Sequence, residues 1–165
     1  MLLSLVSPAV AIAVAFWGFQ RSRRADKLRA FFEIYERYLA KEARAGRREI
    51  YQSVAGRSAD EVAALGREAL TCIGYSLAIM NSIAIACEGG YVDRRLIVRS
   101  MGRSFTRAVT AAKPYFDHVE RVRGYRPYPF AELLAARLAT EGGWGPPAPP
   151  SRGAPAPQAA GEKPG

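Results

Sequence analysis

The sequence predicts an all-α protein in three parts: an N-terminal single transmembrane helix, a small antiparallel helical bundle and a disordered Pro/Gly/Ala tail. Three observations carry that expectation. Met1 to Gln20 hold no charged side chain. From Leu28 onward, apolar residues recur at three- and four-residue steps, the period of one helix face, and no run alternates as a strand would. After Glu141 the composition shifts abruptly. The expected boundaries are 1–20 for the anchor, 21–57 for a basic juxtamembrane helix and connector, 58–141 for the bundle core and 142–165 for the tail.

A cleaved secretory signal needs a basic start, an apolar stretch of roughly 7 to 15 residues and a small-residue cleavage site. Here no Lys or Arg precedes the apolar run, which ends on bulky Phe16, Trp17 and Phe19. At about 1.5 Å per residue, twenty residues reach close to 30 Å, the depth of a bilayer's hydrocarbon. The rings suit the interface between lipid and water. A retained signal-anchor is therefore expected, against a cleaved signal or a buried soluble helix. Pro8 is tolerated better in lipid than in a soluble helix. Ala9 with Ala13, and Ala11 with Ala15, have the spacing that lets spans pack closely, although alanine is common in any span.

Orientation follows from charge. Arg21, Arg23, Arg24, Lys27 and Arg29 lie directly behind the span, and such residues are held on the cytoplasmic side. The expected topology is N-terminus out and C-terminal domain cytoplasmic. The same cluster is suited to anionic lipid headgroups, at about 1 kcal/mol for each residue near the surface. Net charge is +9 and unevenly placed. Residues 21–57 carry 11 basic and 5 acidic side chains, 58–90 carry 1 and 4, and 91–126 carry 9 and 3. Two basic belts flank a nearly neutral centre.

The body is long enough for one core and hardly for two. Leu28, Phe31, Phe32, Tyr35, Tyr38 and Leu39 mark an amphipathic helix continuing from the anchor, interrupted by Gly46 and Gly56, with a short helical segment near Ile50 to Val54. Ser58-Ala-Asp-Glu61 reads as a capping box opening a central helix, which runs to Glu88 and stops at Gly89-Gly90. Its uncharged run from Ala69 to Cys87 has span length. Thr71, Gly74, Ser76, Asn81 and Ser82 make it less apolar than the first segment, and a hairpin would place Arg94, Arg95 and Arg99 outside. A buried soluble helix is favoured. Cys72 and Cys87 are too few for a disulfide framework and read as small core residues.

Asp93 is placed to cap the next helix. Ile97, Met101, Phe105, Val109, Ala112, Phe116 and Val119 then step by four or three along one buried face, with breaks expected near Gly102 or Pro114. Gly124 closes the stretch, Tyr125 to Phe130 form a turn, and Phe130, Leu133, Leu134 and Leu138 give a last helix folding back. Of the 24 tail residues, 7 are Pro, 6 Gly and 5 Ala, a composition that cannot bury a core. Pro147 to Arg152 fits a proline-rich docking pattern, though a plain solubilising tail accounts for it as well.

Catalytic chemistry has no nominee. His118 is the single histidine, without metal-ligand spacing or a triad partner; Gly102-Arg-Ser lacks the frame of a phosphate loop; Asp60 and Glu61 are explained by a helix start. No cofactor or metal site is expected. The sharpest surface feature is basic: Arg95, Arg99, Arg103 and Arg107 recur every four residues, a slanting ladder on a helix joined by Arg94, Arg121 and Arg123. The ladder suits anionic lipid, nucleic acid or an acidic protein, or is simply a solvated face. Aromatic residues do not interleave with it, which weakens the nucleic-acid version.

The stretch from Asn81 to Ala135 resembles the bacterial helical domains grouped as domain-of-unknown-function family 4760. The likeness rests on Asn81-x-Ile83-Ala84 through Gly90, the Asp93 opening, Lys113-Pro-Tyr-Phe116, and Tyr128-Pro129-Phe130 with Leu133; Glu42 to Tyr51 is similar to an earlier arginine-rich element of that family. Coverage is about 25–138. The resemblance implies a helical fold, a bacterial source and a single N-terminal span. Arg103 and Thr106 depart from it, standing near positions where the family often has aromatic residues. No activity comes with the family. The resulting expectation is a non-enzymatic interaction or scaffold module on the bacterial inner membrane, with lipid bilayer, anionic headgroups and a protein as partners. Its alternatives are an enzyme with a pocket between helices using Tyr75, Glu88 or His118, and a salt-sensitive membrane tether for DNA.

Overall fold

The computed structural model describes residues 3–142, with side chains from Val10 onward except those of residues 11 and 13. The tail from 143, its Pro147 to Arg152 motif, and both alanine pairs in the first helix lie outside the described residues or side chains. Eight α-helices and one π-helical turn make up the described chain: α1 Leu3–Leu39, α2 Lys41–Glu49, the π-turn Ile50–Val54, α3 Ala59–Ala63, α4 Arg67–Glu88, α5 Arg94–Ser100, α6 Gly102–Ala111, α7 Lys113–Arg123 and α8 Pro129–Gly142. The fold is all-helical.

Helix α1 is continuous over 37 residues, about 55 Å at the α-helical rise. Only its last third joins the core, through buried Phe31 and Tyr38 and half-buried Ile34 and Tyr35. Leu28, Phe32 and Leu39, expected on the same stripe, stay exposed, because a single neighbouring layer covers a narrower arc than the apolar arc of the sequence.

Helix α4 organises the bundle. Ile73, Leu77, Met80 and Ile83 face inward. α2 runs antiparallel to its first half: the buried Ser76 hydroxyl donates to the Ala43 carbonyl at 3.1 Å, and Gly46 lies against the Cys72 carbonyl. α8 runs parallel to it. Three contacts in register fix that direction: the Tyr128 hydroxyl donates to Gly74 O at 3.2 Å, the Ala131 N–H to Asn81 Oδ1 at 3.1 Å, and Arg137 to Glu88 at 2.6 Å. The bundle is thus mixed in direction where a wholly antiparallel one was expected, because the Tyr125 to Tyr128 turn delivers α8 beside the middle of α4. Asn81, an amide costly in lipid, accepts from an N–H in the first turn of α8 that is shared with the Tyr128 carbonyl. Among the described residues α4 is the one helix long and apolar enough to cross a membrane by composition; its contacts are those of a core helix.

The Ser58 capping box is present, with the Ser58 N–H donating to Glu61 at 2.7 Å and the Glu61 N–H to the Ser58 hydroxyl at 3.3 Å. It opens the five-residue α3, and the central helix starts afresh at Arg67 after Gly66. The Glu61 carboxyl is held below its ordinary value by the hydrogen bonds from Ser58. A depressed folded value stabilises the cap above the unfolded carboxylate range, and that contribution disappears as pH falls through the folded value. The amide of Ser58, which donates to that carboxylate, is therefore expected to lose hydrogen-exchange protection on acidification below about pH 4, and Glu61→Gln to flatten that pH dependence.

Breaks fall at both expected places. Met101 (φ −137°) separates α5 from α6, and Pro114 sits in the first turn of α7 just after Ala112, where its missing N–H costs nothing. Asp93 caps α5 by accepting from the Arg95 N–H at 2.9 Å. Gly124 (φ 75°) ends α7 in the left-handed region. The face Ile97, Met101, Phe105, Val109, Ala112, Phe116 and Val119 is buried throughout. On α8 the buried positions are Ala131, Leu134, Ala135 and Leu138, whereas Phe130 and Leu133 stay partly exposed; small Ala131 and Ala135 allow the close approach to α4 and α6. Cys72 and Cys87 are free and half-buried, and burial pushes the Cys87 thiol up to about 11.

Candidate anion-binding site

Two basic surfaces emerge, at different heights on the molecule. The first lies on α1, where Arg21, Arg23, Arg24, Lys27 and Arg29 are all exposed. Arg29 pairs with Glu33 one turn on at 3.4 Å, and the Arg23 guanidinium lies over the Phe19 ring at 4.4 Å. Arg23, Arg24 and Lys27 form one wall of an open groove of about 740 Å³, whose other wall is the Gly89-Gly90-Tyr91 turn. That turn is shaped by Gly90 in the left-handed region (φ 69°), and it leaves Tyr91 largely exposed beside the cations.

The second surface is the expected ladder, altered by the break at Met101. Arg95 stands apart on α5. Arg99, at the end of α5, and Arg103 and Arg107, on α6, converge with Tyr51 and Ser104 on an open cleft of about 590 Å³. Among the described residues none of these four arginines is ion-paired, although Arg94, Arg121, Arg126 and Arg137 each find a carboxylate. Among the described residues no acidic side chain lines the cleft and no side chain caps the start of α6 at its floor, so the helix contributes its positive end as well.

A layer behind the cleft holds it in place. The hydroxyls of Ser104 and Tyr38 hydrogen-bond to one another, and the Tyr51 hydroxyl donates to Ser104 O at 3.4 Å. Arg47, only 9% exposed, stacks its guanidinium over the Tyr38 ring at 3.8 Å, and one of its terminal nitrogens has no partner among the described residues. Burial lowers the Arg47 pKa, with the nearby Tyr38 opposing that shift. Burial likewise raises Tyr38 and Tyr51, which stay neutral donors. Arg107 reaches over Tyr51 at 5.7 Å. The sequence placed Tyr38 on the apolar stripe and Arg47 and Tyr51 within the arginine-rich element, and assigned none of the three a part in an anion site; the signal available was Arg47 directly after the packing glycine Gly46, which turns a basic residue inward.

The residues weighed for catalysis are not brought together. Tyr75 sits in a shallow groove with Glu42 and Cys72, Glu88 is paired with Arg137, and His118 lies beside Tyr115 and Tyr128. Tyr75 and Glu88 are separated by about 20 Å along α4. Arg103 and Thr106, the two departures from the resemblance, have opposite fates: Arg103 reaches into the cleft, and Thr106 is buried with its hydroxyl unpartnered among the described residues.

No curated protein and no solved structure matches the chain. The family model described as "Domain of unknown function (DUF4760)" matches residues 5–138. That match takes in the apolar part of α1 together with the whole bundle to the last turns of α8. The chain belongs to the DUF4760 family.

Proposed function

We propose that the protein is a single-pass membrane-anchored interaction module, with the first part of α1 in the bilayer, the N-terminus outside and the bundle held at the cytoplasmic face. One observation carries this reading. Val10, Ile12, Val14, Phe16, Trp17 and Phe19 are 55–75% exposed, on a helix that runs unbroken into the core. They point around the helix rather than along one stripe, and a helix apolar on all sides requires burial. Removing six such side chains from water is worth on the order of 10 kcal/mol, and no other element of the described chain packs against them.

The arginines and lysine behind the apolar segment support both the orientation and a contact with anionic headgroups. Tyr91, across the groove from them, suits the same interfacial layer. The dispersal of Tyr75, Glu88 and His118 favours an interaction module over an enzyme.

The protein from its native host is expected to stay in the membrane pellet after high-pH carbonate washing, with a C-terminal reporter active only in the cytoplasm. Release into the supernatant would remove the anchor; activity confined to the outer side would reverse the topology. Replacing Arg21, Arg23, Arg24, Lys27 and Arg29 by Ser is expected to weaken the bundle's attachment to anionic vesicles and to leave neutral vesicles indifferent.

A further inference from the structure

We infer that the cleft between the end of α5, the start of α6 and Tyr51 is a binding site for a soluble, multiply charged anion of the di- or triphosphate class. Arg99, Arg103 and Arg107 enter it from two helices with no carboxylate among its walls. Like charges gathered without a counter-charge repel one another, an arrangement that a bound anion relieves. Guanidinium groups fit phosphate oxygens in paired hydrogen bonds, and three of them match a ligand with several negative charges better than a monoanion. The Ser104 hydroxyl, accepting from Tyr38 and so keeping its own proton to donate, and the uncapped start of α6 add neutral donors at the same place.

The support behind the cleft distinguishes it from a merely solvated basic face. Ser104 is tied to Tyr38, Tyr38 lies under the buried guanidinium of Arg47, and the Tyr51 hydroxyl is held against the Ser104 carbonyl. The floor is therefore fixed before any ligand arrives, so less ordering opposes binding. Its height excludes the lipid surface as the source of phosphate. Tyr38 is 14 residues beyond Arg24 on α1, about 21 Å along the helix, which is more than two screening lengths at physiological salt. The exclusion of lipid rests on the anchor reading above; the site itself does not, because its walls belong to the bundle alone.

The test uses the full chain in neutral detergent, titrated with inorganic triphosphate and pyrophosphate at about 0.15 M salt, with sulfate at equal ionic strength as the control. Triphosphate is expected to bind one per chain and to raise the melting temperature, sulfate much less. Arg103→Ser and Arg107→Ser are each expected to weaken binding about tenfold, and Arg95→Ser, outside the cleft, to leave it unchanged. Circular dichroism of the variants checks that the fold is kept, and Arg103→Lys should recover only part of the affinity.

Equal losses from Arg95→Ser and the cleft variants would reduce the effect to diffuse surface charge and overturn the site. So would saturation only in nanodiscs of anionic lipid, or a single-stranded or duplex DNA competitor binding more tightly than triphosphate with a steep salt dependence. No triphosphate binding at millimolar concentration would also overturn it.

Discussion

Gly46→Ala is expected to destabilise the bundle by about 3 kcal/mol, a fall in melting temperature on the order of 10 °C for a domain of this size. A Cβ added at Gly46 would lie 2.6 Å from Ser76 Cβ and closer still to the Cys72 carbonyl oxygen. A flexible side chain moves aside at little cost, whereas a carbonyl in the middle of a helix cannot. The helices would have to separate, and the hydrogen bond from Ser76 to the Ala43 carbonyl would stretch with them. Arg47 follows Gly46, so its stacking over Tyr38 would shift too. Gly66→Ala is the control: a Cβ there meets nothing within 4 Å, and the cost is about 1 kcal/mol or less for a poorer helix start. Chemical denaturation of the two variants checks the contrast. Equal stability of Gly46→Ala and the parent protein would mean that α2 and α4 do not approach as described.

Phe116→Ala should cost about 4 kcal/mol, the middle of the range for a fully buried ring. Phe116 contacts Tyr115 and Tyr128, with ring centroids 6.4 and 6.2 Å away, and supports the Arg126 guanidinium 5.6 Å above its face. Arg126 in turn gathers Asp117, Glu120 and Glu132 at 2.5, 2.9 and 2.8 Å. Those carboxylates raise its pKa, Glu132 foremost. One side chain thus pins the end of α7 to the start of α8. Tyr128, held at φ 56° beside this cluster, is strained for a residue with a Cβ. Its hydroxyl bond to Gly74 helps hold it there. Arg126→Met keeps the contact with the ring and removes the charges, with an expected loss of about 1 to 2 kcal/mol. In a double-mutant cycle the two losses should be less than additive, since Phe116→Ala already loosens the guanidinium. Strict additivity would show that ring and ion cluster act independently.

The all-helical class, the breaks at Met101 and Pro114, the Asp93 and Gly124 caps and the seven-residue buried face from Ile97 to Val119 were legible in the sequence. Each depends on local chemistry: a side-chain oxygen beside a free amide, a missing N–H, a backbone angle that glycine adopts easily, or a period of 3.6 residues. Gly46 illustrates the limit. In sequence a glycine reads as an interruption, because its entropy cost is local; the structure places it inside α2, where absence of a Cβ admits a neighbouring helix. The Ser58 box showed the same limit from the other side, since a correct cap does not state how long its helix runs.

The arginine ladder divides in the same way. Four-residue spacing determined that the charges would lie near one another on helices, but not that a break at Met101 would leave Arg95 apart and turn Arg99, Arg103 and Arg107 onto Tyr51. Sequence by itself determined the elements and the charge they carry. Tertiary structure alone decided that α8 runs parallel to α4, that Arg47 is buried under the cleft and that Tyr38 reaches Ser104, because those pairings join residues far apart in the chain and depend on which helices come close enough to touch.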